Sequence, residues 1–198
     1  MRILFSLFVL FLLAYTACKP LDNTTQTKEK AIFPDDWMGH YQGNLELVNA
    51  IQGKTMTLPM TLIISPTDTV NRWRWYSKAI YQGQEIIKDY ALYRTDSMPP
   101  NHFIMDENNG IYLDRILLDG GFYDYFEVGQ LGLYGITKKV GDDIHFEIAS
   151  FPLQSKRYST YESSEFKVDT IISYKVINTQ KVLLKRVKDS EANSKIQK

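Results

Sequence analysis

The chain has 198 residues, with 23 Lys and Arg against 23 Asp and Glu and a single cysteine. Scattered basic residues in that balance leave no electrostatic footprint for nucleic acid. One cysteine excludes an internal disulfide, so the fold must be held by its core, and about 160 residues outside the terminal segments suffice for one. The 13 Tyr, 10 Phe and 3 Trp point to a β-rich protein.

Residues 1–17 have the layout of an export leader. Arg2 supplies the positive start, and residues 3–13 form an apolar run shorter than the roughly 20 residues that span a bilayer. Tyr15-Thr16-Ala17-Cys18 then ends it with small residues before the cysteine. This ending resembles the lipobox of bacterial lipoproteins: Thr16, Ala17 and Cys18 match, while Tyr15 stands where Leu is usual. The resemblance implies that Cys18 becomes the lipidated first residue, carrying a diacylglyceryl unit and an amide-linked acyl chain such as palmitate. Each buried methylene contributes about 0.8 kcal/mol, so this anchor would be stable. It implies a bacterial cell-envelope protein at the outer membrane, with the face left open. The other reading is an ordinary leader cut near Ala17, with Cys18 unmodified. Arg2 is the only charged side chain of the leader, so cleavage leaves 22 basic against 23 acidic residues. Residues 18–32 are polar and lack an apolar period, and read as the anchored cysteine and a flexible tether reaching about 40 Å.

Residues 33–188 read as one all-β domain. Pro34-Asp35-Asp36-Trp37 is the one helical-turn signal near its start. From Trp37 onward the dominant period is two. Tyr41, Gly43, Leu45 and Leu47 alternate with polar residues, as do Met56, Leu58, Met60, Leu62 and Ile64. Pro59 within that run predicts an edge or a bulge. Residues 72–80 and 86–95 follow around Gln82-Gly83, and residues 111–117 and 122–128 around Asp119-Gly120-Gly121. Residues 134–140 and the set Ile144, Phe146 and Ile148 come next. Phe166, Val168, Thr170, Ile172, Tyr174 and Val176 predict a long strand with one buried face, and residues 181–187 predict the last strand. Residues 189–198 read as a polar tail. About ten strands separated by turn signals predict an antiparallel barrel of 8–10 strands, with a β-sandwich as the alternative.

The opening Trp37-x-Gly39-x-Tyr41-x-Gly43 resembles the first strand of lipocalin-like proteins, although in those the glycine commonly stands two residues before the Trp. The resemblance implies a single up-and-down barrel closed at one end by Trp37. It also implies that a basic residue of the last strand packs across the indole, here Arg186, with Lys185 as the second candidate. Such a barrel implies binding of a small hydrophobic or amphipathic molecule, and it leaves room for one.

Candidate ligand contacts follow from parity and residue type. Trp73 and Trp75 share one strand face, either as an aromatic wall or as core. Tyr90, Tyr93, Tyr112, Tyr123, Tyr125 and Tyr134 lie on middle strands, where a hydroxyl could hold a head group; Tyr90 and Tyr112 are carried forward as contacts. Arg115 shares parity with Ile111, Leu113 and Leu117, and Asp124 with Phe122, Phe126 and Val128. A charge on an apolar face needs a partner or an anionic ligand. Arg115 either binds an anion, as buried arginines do in fatty-acid-binding barrels, or returns to solvent through a bulge, or pairs with Asp124.

No catalytic constellation is present: there is no glycine-flanked serine elbow and no phosphate-cradling glycine loop. His40, His102 and His145 stand on three separate segments without ligand spacing, so no metal and no other cofactor is expected. The sequence points to a non-enzymatic envelope protein that binds a small apolar or amphipathic molecule. The alternative is an accessory domain that binds a protein or a glycan by its outer surface.

Overall fold

The computed structural model describes residues 31–162, 165 and 167–188. Cys18, most of the expected tether, Phe166 and the polar tail lie outside the described residues. Twelve strands follow one another: β1 (Gly39–Asn49), β2 (Lys54–Pro66), β3 (Arg72–Tyr81), β4 (Gln84–Tyr93), β5 (His102–Asp106), β6 (Tyr112–Leu118), β7 (Gly121–Val128), β8 (Leu131–Val140), β9 (Asp143–Pro152), β10 (Lys156–Glu162), β11 (Lys167–Tyr174) and β12 (Asn178–Arg186). Ten of them close into an antiparallel barrel in the order β1-β12-β9-β8-β7-β6-β5-β4-β3-β2. The expected single all-β, up-and-down, lipocalin-like barrel is therefore present, and the sandwich alternative is not. Closure gives every barrel strand a neighbour on both sides over part of its length, which limits the free edge offered to another chain.

The period of two explains the wall. Tyr41 and Leu45 on β1, Leu58, Leu62 and Ile64 on β2, Phe103 and Met105 on β5, and Val182 and Leu184 on β12 all face inward and are buried. Asp119-Gly120 forms a two-residue turn, with Leu118 opposite Gly121 and both turn residues at positive φ, as that turn type requires. Pro59 sits where the expectation puts it: β2 pairs with β3 only from Met60 onward, so the segment around Pro59 has β1 alone as its neighbour.

The helical-turn signal at Pro34-Asp35-Asp36-Trp37 is a single turn: the Asp36 amide donates to the Ile32 carbonyl at 3.0 Å and the Trp37 amide to that of Pro34 at 2.9 Å. One part of the fold departs from the sequence reading. The strand expected over residues 166–176 is not part of the barrel. β11 pairs with β10, an unexpected strand, as a separate two-stranded hairpin inserted between β9 and β12. Ile172, Tyr174 and Val176 of its supposed buried face are exposed.

The two barrel ends differ. Residues 33–38 fold into one end, where Trp37 is fully buried. Phe33 stands edge-on to Trp37, Trp73, Phe103 and Phe122, with ring centroids 4.8 to 5.9 Å away. Each such pair adds about 0.5–1.5 kcal/mol beyond the area it buries. The opposite end carries the β1–β2, β3–β4, β5–β6 and β7–β8 turns and the inserted hairpin.

Candidate functional site: a cavity behind the aromatic plug

The plug is fastened by Arg186, but not as expected. Its guanidinium lies 5.3 Å over the ring of Tyr41, and no stacking on Trp37 is formed. Its Nη2 donates to the Tyr41 hydroxyl at 2.9 Å and to the carbonyls of Asp36 and Met38 at 3.1 and 2.5 Å. Arg186 thus ties the last strand to the first strand and to the plug segment, while Trp37 is enclosed by aromatic rings. A Cβ on Gly39 would lie 3.2 Å from the guanidinium carbon, and Gly39 has φ +149°. The glycine that follows Trp37 by two residues leaves the space this arginine occupies. Lys185, the second candidate, points outward and pairs with Asp143 at 2.7 Å.

Above the plug the interior is open. A cavity of about 510 Å³ runs toward the turn-bearing end. That lies in the range of small-molecule sites. Its walls are mostly apolar: Leu45, Leu58, Met60, Leu62, Phe126, Leu133, Phe146 and Ile148 all line it.

Its floor carries a buried polar cluster. The Nε of Arg115 donates to Asp124 Oδ2 at 2.9 Å and its Nη2 to Thr137 Oγ1 at 2.9 Å. The guanidinium also lies 5.1 Å over the rings of both Trp75 and Phe122. The Arg115 side chain is 6 % exposed and that of Asp124 11 %. Burial pulls the guanidinium below its ordinary value, and the charge of Asp124 and its hydrogen bond oppose that. Of the three readings of Arg115, the pairing is the one found, and no bulge returns it to solvent.

This pair depends on β8. Asp124 stands opposite Gly135 in the β7–β8 register. A Cβ on residue 135 would fall 2.0 Å from Asp124 Oδ1, so the carboxylate occupies space that any other residue would fill.

The expected contacts separate into three groups. Trp75, Tyr90 and Arg115 line the cavity. Burial, then a hydrogen bond to Glu107, raises the Tyr90 hydroxyl well above its ordinary value, so it stays neutral. Trp73 lies outside the cavity lining. It shares the inward face with Trp75 but stands two residues nearer the plug, against Phe33 and Phe103 at 4.8 and 6.1 Å. Tyr112 is a correction of another kind: it is 60 % exposed, on the outer face, because its parity is that of Asp114 and opposite to that of Arg115. Tyr125 and Tyr134 are exposed as well.

Sequence reasoning did not single out Thr137, Gly135 or Lys139. All three share the parity of Leu133 on β8, which is the signal that finds them. Lys139 is buried near the plug, where its Nζ donates to the Asp142 carbonyl at 2.7 Å and reaches the Tyr41 hydroxyl at 3.5 Å. Burial, then the Arg186 charge, lowers its affinity for a proton. Among the described residues no three His, Cys, Asp or Glu side chains gather into a metal-binding group.

No protein-family model matches the chain, and no curated protein matches it. Five solved chains do. One is the crystal structure of a protein of unknown function of the DUF3598 family, from Nostoc punctiforme PCC 73102. The two superpose with a TM-score of 0.50 at 13 % identity, over 77 % of this chain and 48 % of that one. The present chain therefore spans about half the length of that protein. At this identity the likeness shows a shared barrel fold, compatible with the calycin-like architecture, and nothing of function.

Proposed function

We propose that this protein is a non-enzymatic, lipid-anchored protein of the bacterial envelope, at the outer membrane, whose barrel binds or carries one small amphipathic molecule. The cavity carries this reading: an apolar-walled space of about 510 Å³, plugged by aromatic rings at one end, with a few convergent polar groups on its floor. Burial of a ligand's apolar part against Leu, Met and Phe side chains supplies the affinity, at about 25 cal/mol per Å² removed from water. The polar floor fixes its orientation. The unfilled interior favours this reading over a filled barrel that works by its outer surface. The anchor rests on Arg2, the apolar run of residues 3–13, Cys18 and the polar segment that follows.

Titration with the neutral amphipathic dye N-phenyl-1-naphthylamine tests the cavity. The expected result is saturable binding at one dye per chain, with quenching of tryptophan emission that Trp75→Phe reduces. Non-saturable or absent binding contradicts the reading. For the anchor, Cys18→Ser is expected to abolish acyl labelling, and continued labelling contradicts it.

A further inference from the structure

We infer that the cavity selects ligands with an uncharged hydroxyl or amide head and discriminates against carboxylates. This rests on the amphipathic-ligand reading and narrows it to a chemical class.

A lone buried arginine would make the floor an anion site, but Arg115 is not alone. Its Nε already faces Asp124 Oδ2 at 2.9 Å and its Nη2 faces Thr137 at 2.9 Å. The carboxylate is held there by construction, because Gly135 leaves the space that Asp124 Oδ1 fills. Trp75 and Phe122 meet edge-to-face at 6.0 Å and the cation lies 5.1 Å from both, so swinging toward a ligand would cost it both ring contacts. Arg115 and Asp124 therefore present a floor of zero net charge.

A ligand carboxylate brought to that floor gains attraction from Arg115 and loses a comparable amount to repulsion from Asp124. Of the other charges lining the cavity, Lys78 is paired with Glu85 at 2.8 Å and Lys88 and Glu107 are of opposite sign, so the ligand carboxylate's desolvation stays uncompensated. A hydroxyl or primary amide brings no charge and can both donate to Asp124 and accept from Arg115. Tyr90, kept neutral by burial and by Glu107, adds a polar group without adding charge.

The test is displacement of bound N-phenyl-1-naphthylamine from the full chain by 1-dodecanol, dodecanamide and dodecanoate at pH 8. The alcohol and the amide are expected to displace the dye at concentrations about tenfold or more below dodecanoate. Lowering the pH until dodecanoate is protonated is expected to close that gap, with no change for the alcohol; this arm needs no variant. Asp124→Asn, which leaves Arg115 uncompensated, is expected to raise dodecanoate affinity above that of the alcohol. Dodecanoate binding as tightly as the alcohol to the unaltered protein at pH 8 overturns the inference and leaves the amphipathic-ligand reading standing. Failure of the dye and all three ligands to bind overturns both.

Discussion

Arg115 and Asp124 are the residues on which the interior turns, since each is a charge removed from bulk water and matched by the other at 2.9 Å. Removing one partner leaves the second charge buried and unpaired, so Asp124→Ala is expected to cost about 3–5 kcal/mol of stability. Replacing both, as Arg115→Met with Asp124→Val, removes both desolvation costs and is expected to recover most of that loss. Urea unfolding of the singles and the double checks this, and a double variant as unstable as the sum of the singles would show that the pair is not a unit. Asp143 gives a pH test at the surface. Its hydrogen bond from Lys185 holds its carboxyl below the ordinary value of 3.8. A depressed carboxyl stabilises the fold above the unfolded value, and that contribution is lost as pH falls through the folded one. Lys185 is largely exposed, so the contribution is under about 1 kcal/mol. Asp143→Asn is expected to flatten the fall of stability below pH 4, and an unchanged slope would contradict the assignment. Parity made Arg115 and Asp124 legible in the sequence as inward charges on neighbouring strands. Parity also puts Gly135 and Thr137 on the inner face, but their roles beside Asp124 and Arg115 depend on the β7–β8 register. Trp73 shows the same limit, since parity gives the face of a strand and not the depth along the barrel axis.

Among the elements, the β10–β11 hairpin is the one whose role alternation misstated. Ile171 and Ile172 are both exposed, and so are Tyr158 and Tyr174, so apolar residues there reflect the preference of β-branched and aromatic side chains for extended backbone rather than burial. The barrel strands read correctly because each has a wet and a dry face. The hairpin's ladder lies within itself, and Tyr174 rests on Phe151 at a centroid distance of 4.9 Å. β9 and β12 pair directly below it, from Ser150 opposite Asn178 to Ile144 opposite Leu184. Replacing residues 155–174 with a short turn is therefore expected to leave the barrel folded, at a cost of about 1 kcal/mol and a fall in Tm of roughly 2–4 °C. Circular dichroism and thermal melts check this; loss of cooperative unfolding would mean that the hairpin is part of the barrel's core.

At the scale of the whole molecule, the chain builds a barrel that is plugged at one end and hollow toward the other. The described chain enters at the plugged end, where Phe33 meets Trp37, and the cavity opens toward the other. The count of alternating strands indicated the barrel, and the lipocalin-like opening Trp37-x-Gly39-x-Tyr41 added the plug. It did not indicate that Arg186 would settle on Tyr41, because Gly39 and the β1–β12 register together decide where the guanidinium fits. The sequence did offer the Arg115–Asp124 pair, found at 2.9 Å, as one of three readings of Arg115. The central claim is that this cavity holds a small amphipathic molecule. Native mass spectrometry of the protein purified from a bacterial host, followed by solvent extraction and mass analysis of the extract, tests it most directly. The account predicts a stoichiometric adduct that an organic extract identifies as an amphipathic molecule with an uncharged head. A clean apo mass, together with no uptake of 1-dodecanol added in excess, would contradict it.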